Sequence, residues 1–256
     1  MELFYKKLGE ESYGEPLIIV HGLFGSSDNW YTLGKKFAQD YTVFLVDQRN
    51  HGHSPHSDEH NYELMADDLL EVIRKEHLIS VNLLGHSMGG KTVMKFAEQY
   101  EEMVDKLIVA DIGPQAYSSH HDLIIEALLS LHPETLRSRK EAATVLSQKI
   151  DNASIRQFLL KNLYWKEPGK LAWRMNVEVL ASSIDNILEA VPSHPIQCET
   201  LFIRGDESGY IRETDFKIIH EMFPNSKIET IQGVGHWLHA EAPEEFYNLV
   251  INFIES

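Results

Sequence analysis

Six short apolar runs, at residues 17–20, 42–46, 81–84, 107–110, 200–203 and 228–231, are rich in Val, Ile, Leu and Phe and bounded by Gly, Asp or Pro. Longer segments with apolar residues at helical spacing lie among them, over 30–39, 62–76, 88–100, 213–222 and 241–254; Met65, Leu69, Val72 and Ile73 form one such stripe. A run that is apolar throughout suits a strand buried on both faces, and parallel neighbours need a crossover long enough to hold a helix. The alternation therefore predicts an α/β protein with a mostly parallel central sheet and helices on both faces. Pro243 falls in the first turn of the last helix, where a missing N–H costs nothing.

The rhythm breaks after residue 113. Residues 114–190 carry helical patterns over 122–131, 140–150 and 155–163 but no convincing strand, so they read as a helical cap. The expected organisation is one catalytic body in two pieces, 1–113 and 191–256, with that cap between them. Ligands of open α/β sheets sit beyond the carboxyl ends of the strands, and an insertion leaving a strand there would roof the site.

A chain of 256 residues can bury one large core of this kind. Its 39 acidic against 23 basic residues leave a net charge of −16, which argues against nucleic acid or an anionic membrane as partner. Residues 1–16 lack the apolar stretch of a secretory signal and no run approaches a membrane span, so a cytoplasmic location is expected. Cys198, the single cysteine, precedes an apolar strand and reads as a buried structural thiol. Monomer and dimer both stay open.

The chemistry begins at 81–90, VNLLGHSMGG, an apolar strand that runs into G-x-S-x-G and then into a helix. Gly85 and Gly89 permit a strained turn that lifts Ser87 clear of the sheet, above a helix N-terminus with oriented N–H groups. Ser87 is the candidate nucleophile. A serine hydroxyl attacks poorly until an imidazole takes its proton. His236, in the Gly-punctuated loop QGVGHW between the last strand and the last helix, is the histidine at the same sheet edge. The oxyanion of a tetrahedral intermediate needs two preorganised donors. HGLFGS, directly after the first predicted strand, offers the backbone N–H of Leu23, with Phe24 as the weaker choice, opposite that of Met88.

HGLFGS, DQRNHGHS, GHSMGG and GHW, in this order, resemble the α/β-hydrolase superfamily, and GHSMGGK with LIVADIGP is similar to the bacterial YbfF-type esterases. The resemblance spans nearly the whole chain and implies the α/β-hydrolase fold and triad chemistry without a cofactor. In most relatives the triad acid is the second Asp of a G-D-x-D motif; here the segment is RGDESGY, with Ser208 at that position. Asp206 matches the first Asp, usually structural in relatives. LIVADIGP places another carboxylate, Asp111, at the end of the preceding strand. Asp111 is therefore expected to accept the His236 N–H, with Ser208 adding a neutral hydrogen bond. Asp206 is the rival acid, and a helix-capping role is the alternative for Asp111.

His51, His53, His56 and His60 lack a metal-binding spacing, and no metal is expected. Arg49 is expected to brace backbone beneath the site, and Lys91, one turn into the helix after Ser87, to form a structural salt bridge. Phe24, Tyr117, Trp165, Trp173 and Trp237 are candidates for an apolar substrate pocket, with Phe24, Trp237 and Trp165 carried forward as substrate-binding. Phosphates of an acyl-coenzyme A would need cations such as Arg137, Arg139 and Lys140. These readings converge on a serine esterase or thioesterase acting on a small or medium acyl ester or thioester. A C–C bond hydrolase or lyase with the same Ser/His pair, and a sensor that binds without turnover, are the competing readings.

Overall fold

The computed structural model describes residues 1–9, 15–119 and 122–256; residues 10–14, part of the opening segment read above for a signal, and His120 and His121 lie outside the described residues. The strands of the main sheet are β1 (Tyr5–Leu8), β2 (Pro16–Val20), β3 (Thr42–Val46), β4 (Val81–His86), β5 (Val104–Ala110), β8 (Thr200–Gly205) and β9 (Ser226–Ile231). Their order is β1-β3-β2-β4-β5-β8-β9, parallel except for β1, which runs antiparallel to β3. The expected mostly parallel sheet is there, with one addition. β1 reads YKKL, too short and too charged to stand out as a strand, and charge of this kind suits a sheet edge.

Alternate residues of the central strands enter different cores. Ile18, Val20, Phe44, Val46, Leu83, Leu107 and Val109 pack on one face; Leu17, Ile19, Val43, Leu45, Leu84 and Ile108 pack on the other. Both sets are apolar because both faces are covered, so the strands read as continuous runs rather than as alternation. The first face is covered by α2 (Tyr62–Lys75) and α3 (Met88–Gln99), the second by α1 (Tyr31–Phe37) and α11 (Pro243–Ile254). α2 shows why these segments are helical. The Asn61 side chain caps it by accepting the Leu64 N–H at 2.9 Å, Glu63 lies in the first turn, and Arg74 and Lys75 lie in the last, complementing the helix dipole.

Between β5 and β8 come α4 (Asp122–Ser130), α5 (Arg139–Leu146), α6 (Ala153–Leu160), α7 (Val177–Ser182) and α8 (Ile184–Leu188). This segment is not wholly helical as expected: β6 (Leu163–Glu167) and β7 (Lys170–Trp173) form an antiparallel hairpin. Its turn carries Pro168 and Gly169, the latter at φ 80, a turn signal of the kind that sets a hairpin. The chain leaves and re-enters the sheet domain through a pinned neck, where Val191 N–H donates to Pro114 O at 2.9 Å and Tyr117 N–H to Leu188 O at 2.8 Å. The remaining helices are α9 (Phe216–Met222), after β8, and α10 (Leu238–Glu241), just ahead of α11. Among the described residues no helix is long and apolar enough to cross a membrane.

Candidate active site

Ser87 lies at the junction of β4 and α3 with φ 53 and ψ −120, a conformation that side chains rarely adopt and that persists only where the surroundings enforce it. Two glycines enforce it. A Cβ on Gly85 would stand 2.2 Å from Gly89 O, and one on Gly89 would stand 2.3 Å from Val20 O, so β4, α3 and β2 close up only without side chains there. The Ser87 N–H is tied to Ala110 O at 3.0 Å, which anchors the bend to β5.

Asp111 follows β5, also at positive φ (51), and is fully buried. Its Oδ2 accepts His236 Nδ1–H at 2.7 Å and the Ser208 hydroxyl, while Oδ1 accepts the Gly205 N–H at 3.3 Å. The bond to a carboxylate places the ring proton on Nδ1 and leaves Nε2 as the basic nitrogen of His236. Asp206 goes elsewhere: its Oδ1 accepts the N–H groups of Gly233 (2.6 Å) and Val234 (3.3 Å), fastening the loop that carries His236. The structure thus brings together Asp111, His236 and Ser208 and leaves Asp206 as a brace.

His86 holds the same loop from below by donating Nε2–H to His236 O at 2.8 Å. Burial, and then the neighbouring His236 and His239, press its ionisation well below the usual histidine range, so it braces without adding charge. Tyr210 stacks on the His236 ring, centroids 4.1 Å apart and 24° from parallel. Neither residue was legible as part of the site. Tyr210 sits two residues after Ser208 in RGDESGY, and only the course of that loop turns it onto the imidazole.

The loop after β2 is gripped from two sides. Phe24, at φ 60, donates its N–H to His51 Nε2 at 3.1 Å, and its carbonyl accepts Asn162 Nδ2–H at 2.8 Å from the segment between β5 and β8. The Phe24 N–H is therefore committed, whereas those of Leu23 and Met88 have no hydrogen-bond partner among the described residues. His51 also donates Nδ1–H to Arg49 O at 2.9 Å, so both ring nitrogens are occupied by backbone. Arg49 braces as expected, through the Glu59 and Leu64 carbonyls, and in addition grips the Asp68 carboxylate with two N–H groups at 2.7 and 3.0 Å.

Ser87 and His236 line one cavity of about 360 Å³, walled by Phe24, Trp237 and, from the segment between β5 and β8, Ile124, Ile155 and Phe158. Among the described residues no hydrogen bond joins the Ser87 hydroxyl to the ring; such bonds commonly close only as a substrate aligns them. Phe24 and Trp237, two of the residues read as substrate-binding, line this cavity. Trp165 does not: it is 48% exposed on β6 and outside the cavity wall, because the hairpin turns that position to solvent. Trp173 lines a separate cleft against α4, and Tyr117 a second, small cavity beside Ser87. Arg137, Arg139 and Lys140 line none of these, and Arg139 donates to Leu163 O at 2.6 Å.

In place of the expected salt bridge, the buried Lys91 ammonium donates to the carbonyls of Gln115, at 2.9 Å, and Glu189, one on each side of the neck. Burial pushes its ionisation down to about 7, against a smaller opposing effect of the Glu189 carboxylate. Cys198 is only half-buried, yet burial pushes its thiol up to about 11, which keeps it protonated and a poor nucleophile.

A strained serine at a strand-to-helix elbow, with a carboxylate-bound imidazole after the last strand, is the hallmark site of one fold class, and the chain belongs to the α/β-hydrolase family. The family model described as alpha/beta hydrolase fold matches residues 15–243. Among particular proteins, the chain is 35% identical to Esterase YbfF of Escherichia coli, over 93% of this chain and 92% of that one. It is 36% identical to mouse (Mus musculus) sn-1-specific diacylglycerol lipase ABHD11, over 99% of this chain and 85% of that one. A solved structure named "Marine microorganism esterase" superposes with a TM-score of 0.96 at 46% identity, covering 99% of both chains.

Proposed function

We propose that this chain is a serine hydrolase of carboxylic esters and chemically similar thioesters, working through an acyl-enzyme. The Ser87 hydroxyl adds to the carbonyl carbon while His236 Nε2 takes its proton. Negative charge on the former carbonyl oxygen is met by the Leu23 and Met88 N–H groups, which need no reorganisation because their loops are already held. The Asp111 carboxylate stabilises the imidazolium, with Ser208 sharing its Oδ2. Collapse breaks the bond to the leaving oxygen or sulfur, which takes the proton from His236. Water then attacks the acyl-Ser87 carbonyl with His236 as base, and the acid leaves. Residues 114–190 act as the cap, since Ile124, Ile155 and Phe158 wall the cavity.

The observation that carries this reading is the 2.7 Å His236–Asp111 bond, set in the cavity that also holds the strained Ser87. The names of the esterase and lipase relatives support the ester bond as target. Hydrolysis of p-nitrophenyl acetate by the wild type and by Ser87→Ala tests it. Loss of about three orders of magnitude or more in kcat for a folded variant is expected; retention within a few-fold refutes the assignment.

A further inference from the structure

Ser87 stands between two cavities of very different size, one of about 360 Å³ and one of about 20 Å³. Leu23, Ser87 and Tyr210 line both; His236 and Trp237 line only the large one, Met88 and Lys91 only the small one. During acylation, on the reading just proposed, the bond from the acyl carbon to the leaving atom breaks as that atom takes a proton from His236. The leaving group must therefore lie on the side of the His236 ring, which is the large cavity. The oxyanion takes the N–H groups of Leu23 and Met88, and the acyl chain is left with the space on the far side of Ser87.

We infer that the small cavity is the acyl subsite and the large cavity the leaving-group subsite. The chain then acts on short-acyl esters, acetates foremost, of bulky apolar alcohols. At about 20 Å³ against about 360 Å³, the small cavity is by far the tighter of the two, so it suits a short acyl group better than a long chain.

Its walls are also tied. Tyr62 OH donates to Ile187 O at 2.7 Å, Tyr117 OH accepts the Gly113 N–H at 2.7 Å and donates to Tyr210 O at 2.8 Å, and Lys91 clasps both sides of the neck. Widening the subsite means breaking several of these bonds in a buried place, where an orphaned donor or acceptor is expensive. The large cavity has the opposite character. Phe24, Ile124, Ile155, Phe158 and Trp237 offer an apolar wall, and among the described residues no Lys or Arg lines it, so an apolar body gains by burial there. A diacylglycerol, the substrate in the name of the mouse relative, is on this account a poor substrate when its acyl chains are long.

Two substrate series test the assignment. With the leaving group fixed, kcat/KM should fall about ten- to a hundredfold from p-nitrophenyl acetate to the butyrate, the cost of overfilling a packed site by two methylenes. With the acyl group fixed as acetyl, kcat/KM should rise from ethyl through hexyl to octyl acetate. Ile187→Ala, which trims the wall of the small cavity and so enlarges it, should raise the butyrate-to-acetate ratio by about tenfold; the wild-type series decide the matter even if that variant folds poorly. Preference for butyrate or octanoate over acetate, with alkyl acetates insensitive to alcohol length, overturns the inference while leaving an active serine hydrolase. If neither series is hydrolysed and a fluorophosphonate leaves Ser87 unlabelled, the underlying reading of the site falls, and the inference with it.

Discussion

Asp111→Asn probes the charge behind the imidazole with almost no change in volume. In the wild type Oδ2 accepts from both His236 Nδ1 and Ser208, and Oδ1 accepts the Gly205 N–H at 3.3 Å. An asparagine has one acceptor oxygen to serve both sides. If its NH₂ takes the Oδ2 place, it faces His236 and forces the ring proton onto Nε2, the nitrogen that must be bare to act as base. If its NH₂ takes the Oδ1 place, it opposes the Gly205 N–H, donor against donor, and the imidazolium formed in the reaction still lacks a countercharge. The corresponding substitution in a serine protease costs about four orders of magnitude in kcat. We expect a loss of about three to four orders here, or roughly 4–5.5 kcal/mol of transition-state stabilisation. The assay is kcat for p-nitrophenyl acetate, with circular dichroism and urea unfolding to show that the variant is folded. A folded Asp111→Asn enzyme within tenfold of wild type, paired with an inactive but folded Asp206→Asn, would move the acid role to Asp206 and refute the argument.

Three further perturbations separate the parts of the site. Ser208→Ala removes one hydroxyl hydrogen bond to the Asp111 carboxylate and should cost about tenfold in kcat, roughly 1.4 kcal/mol; a loss as deep as that of Asp111→Asn would mean the hydroxyl does more than assist. Gly89→Ala forces a methyl to 2.3 Å from Val20 O and should lower the urea midpoint and abolish activity together, whereas an active variant of wild-type stability would contradict the close packing at the elbow. Acid should unfold the protein through its buried histidines. Burial depresses His60 to about 4 and His239 to about 3 from an ordinary 6.5, so the unfolded chain binds protons first and stability is lost as pH falls from about 6.5 toward those values. His239 stacks on Trp30 at 4.1 Å, and among the described residues its Nδ1 has no hydrogen-bond partner, so His239→Phe should remove one proton from that pH slope; an unchanged slope in urea unfolding would exclude His239 as a source.

The legible parts of this protein are those written locally. Strands buried on both faces announce themselves as apolar runs, and the elbow, the His236 loop and the HGLFGS loop each follow a strand within a few residues. Asp111 was legible as a partner for His236 because Ser208 fills the second-Asp position of RGDESGY, which directs attention to the neighbouring strand end. What escaped depends on how distant segments meet. β1 hides behind Lys6 and Lys7, and the β6–β7 hairpin behind a stretch whose neighbours are helical. Trp165 looked like a pocket residue because hydrophobicity tells that a side chain is apolar and not which way a hairpin turns it. Tyr210 on the His236 ring, Asn162 on the Phe24 carbonyl and Lys91 across the neck are contacts between segments that no spacing in the chain records.

Everything proposed for this site depends on a covalent bond forming at the Ser87 oxygen. Rapid acid quenching of the enzyme with excess p-nitrophenyl acetate, followed by mass spectrometry of the peptide spanning the elbow, looks for that bond directly. The account predicts one acetyl group on Ser87 in the wild type, its accumulation slowed in Asp111→Asn and absent in Ser87→Ala. Turnover with no acetyl on that peptide, or acetylation at another residue in step with turnover, would contradict it.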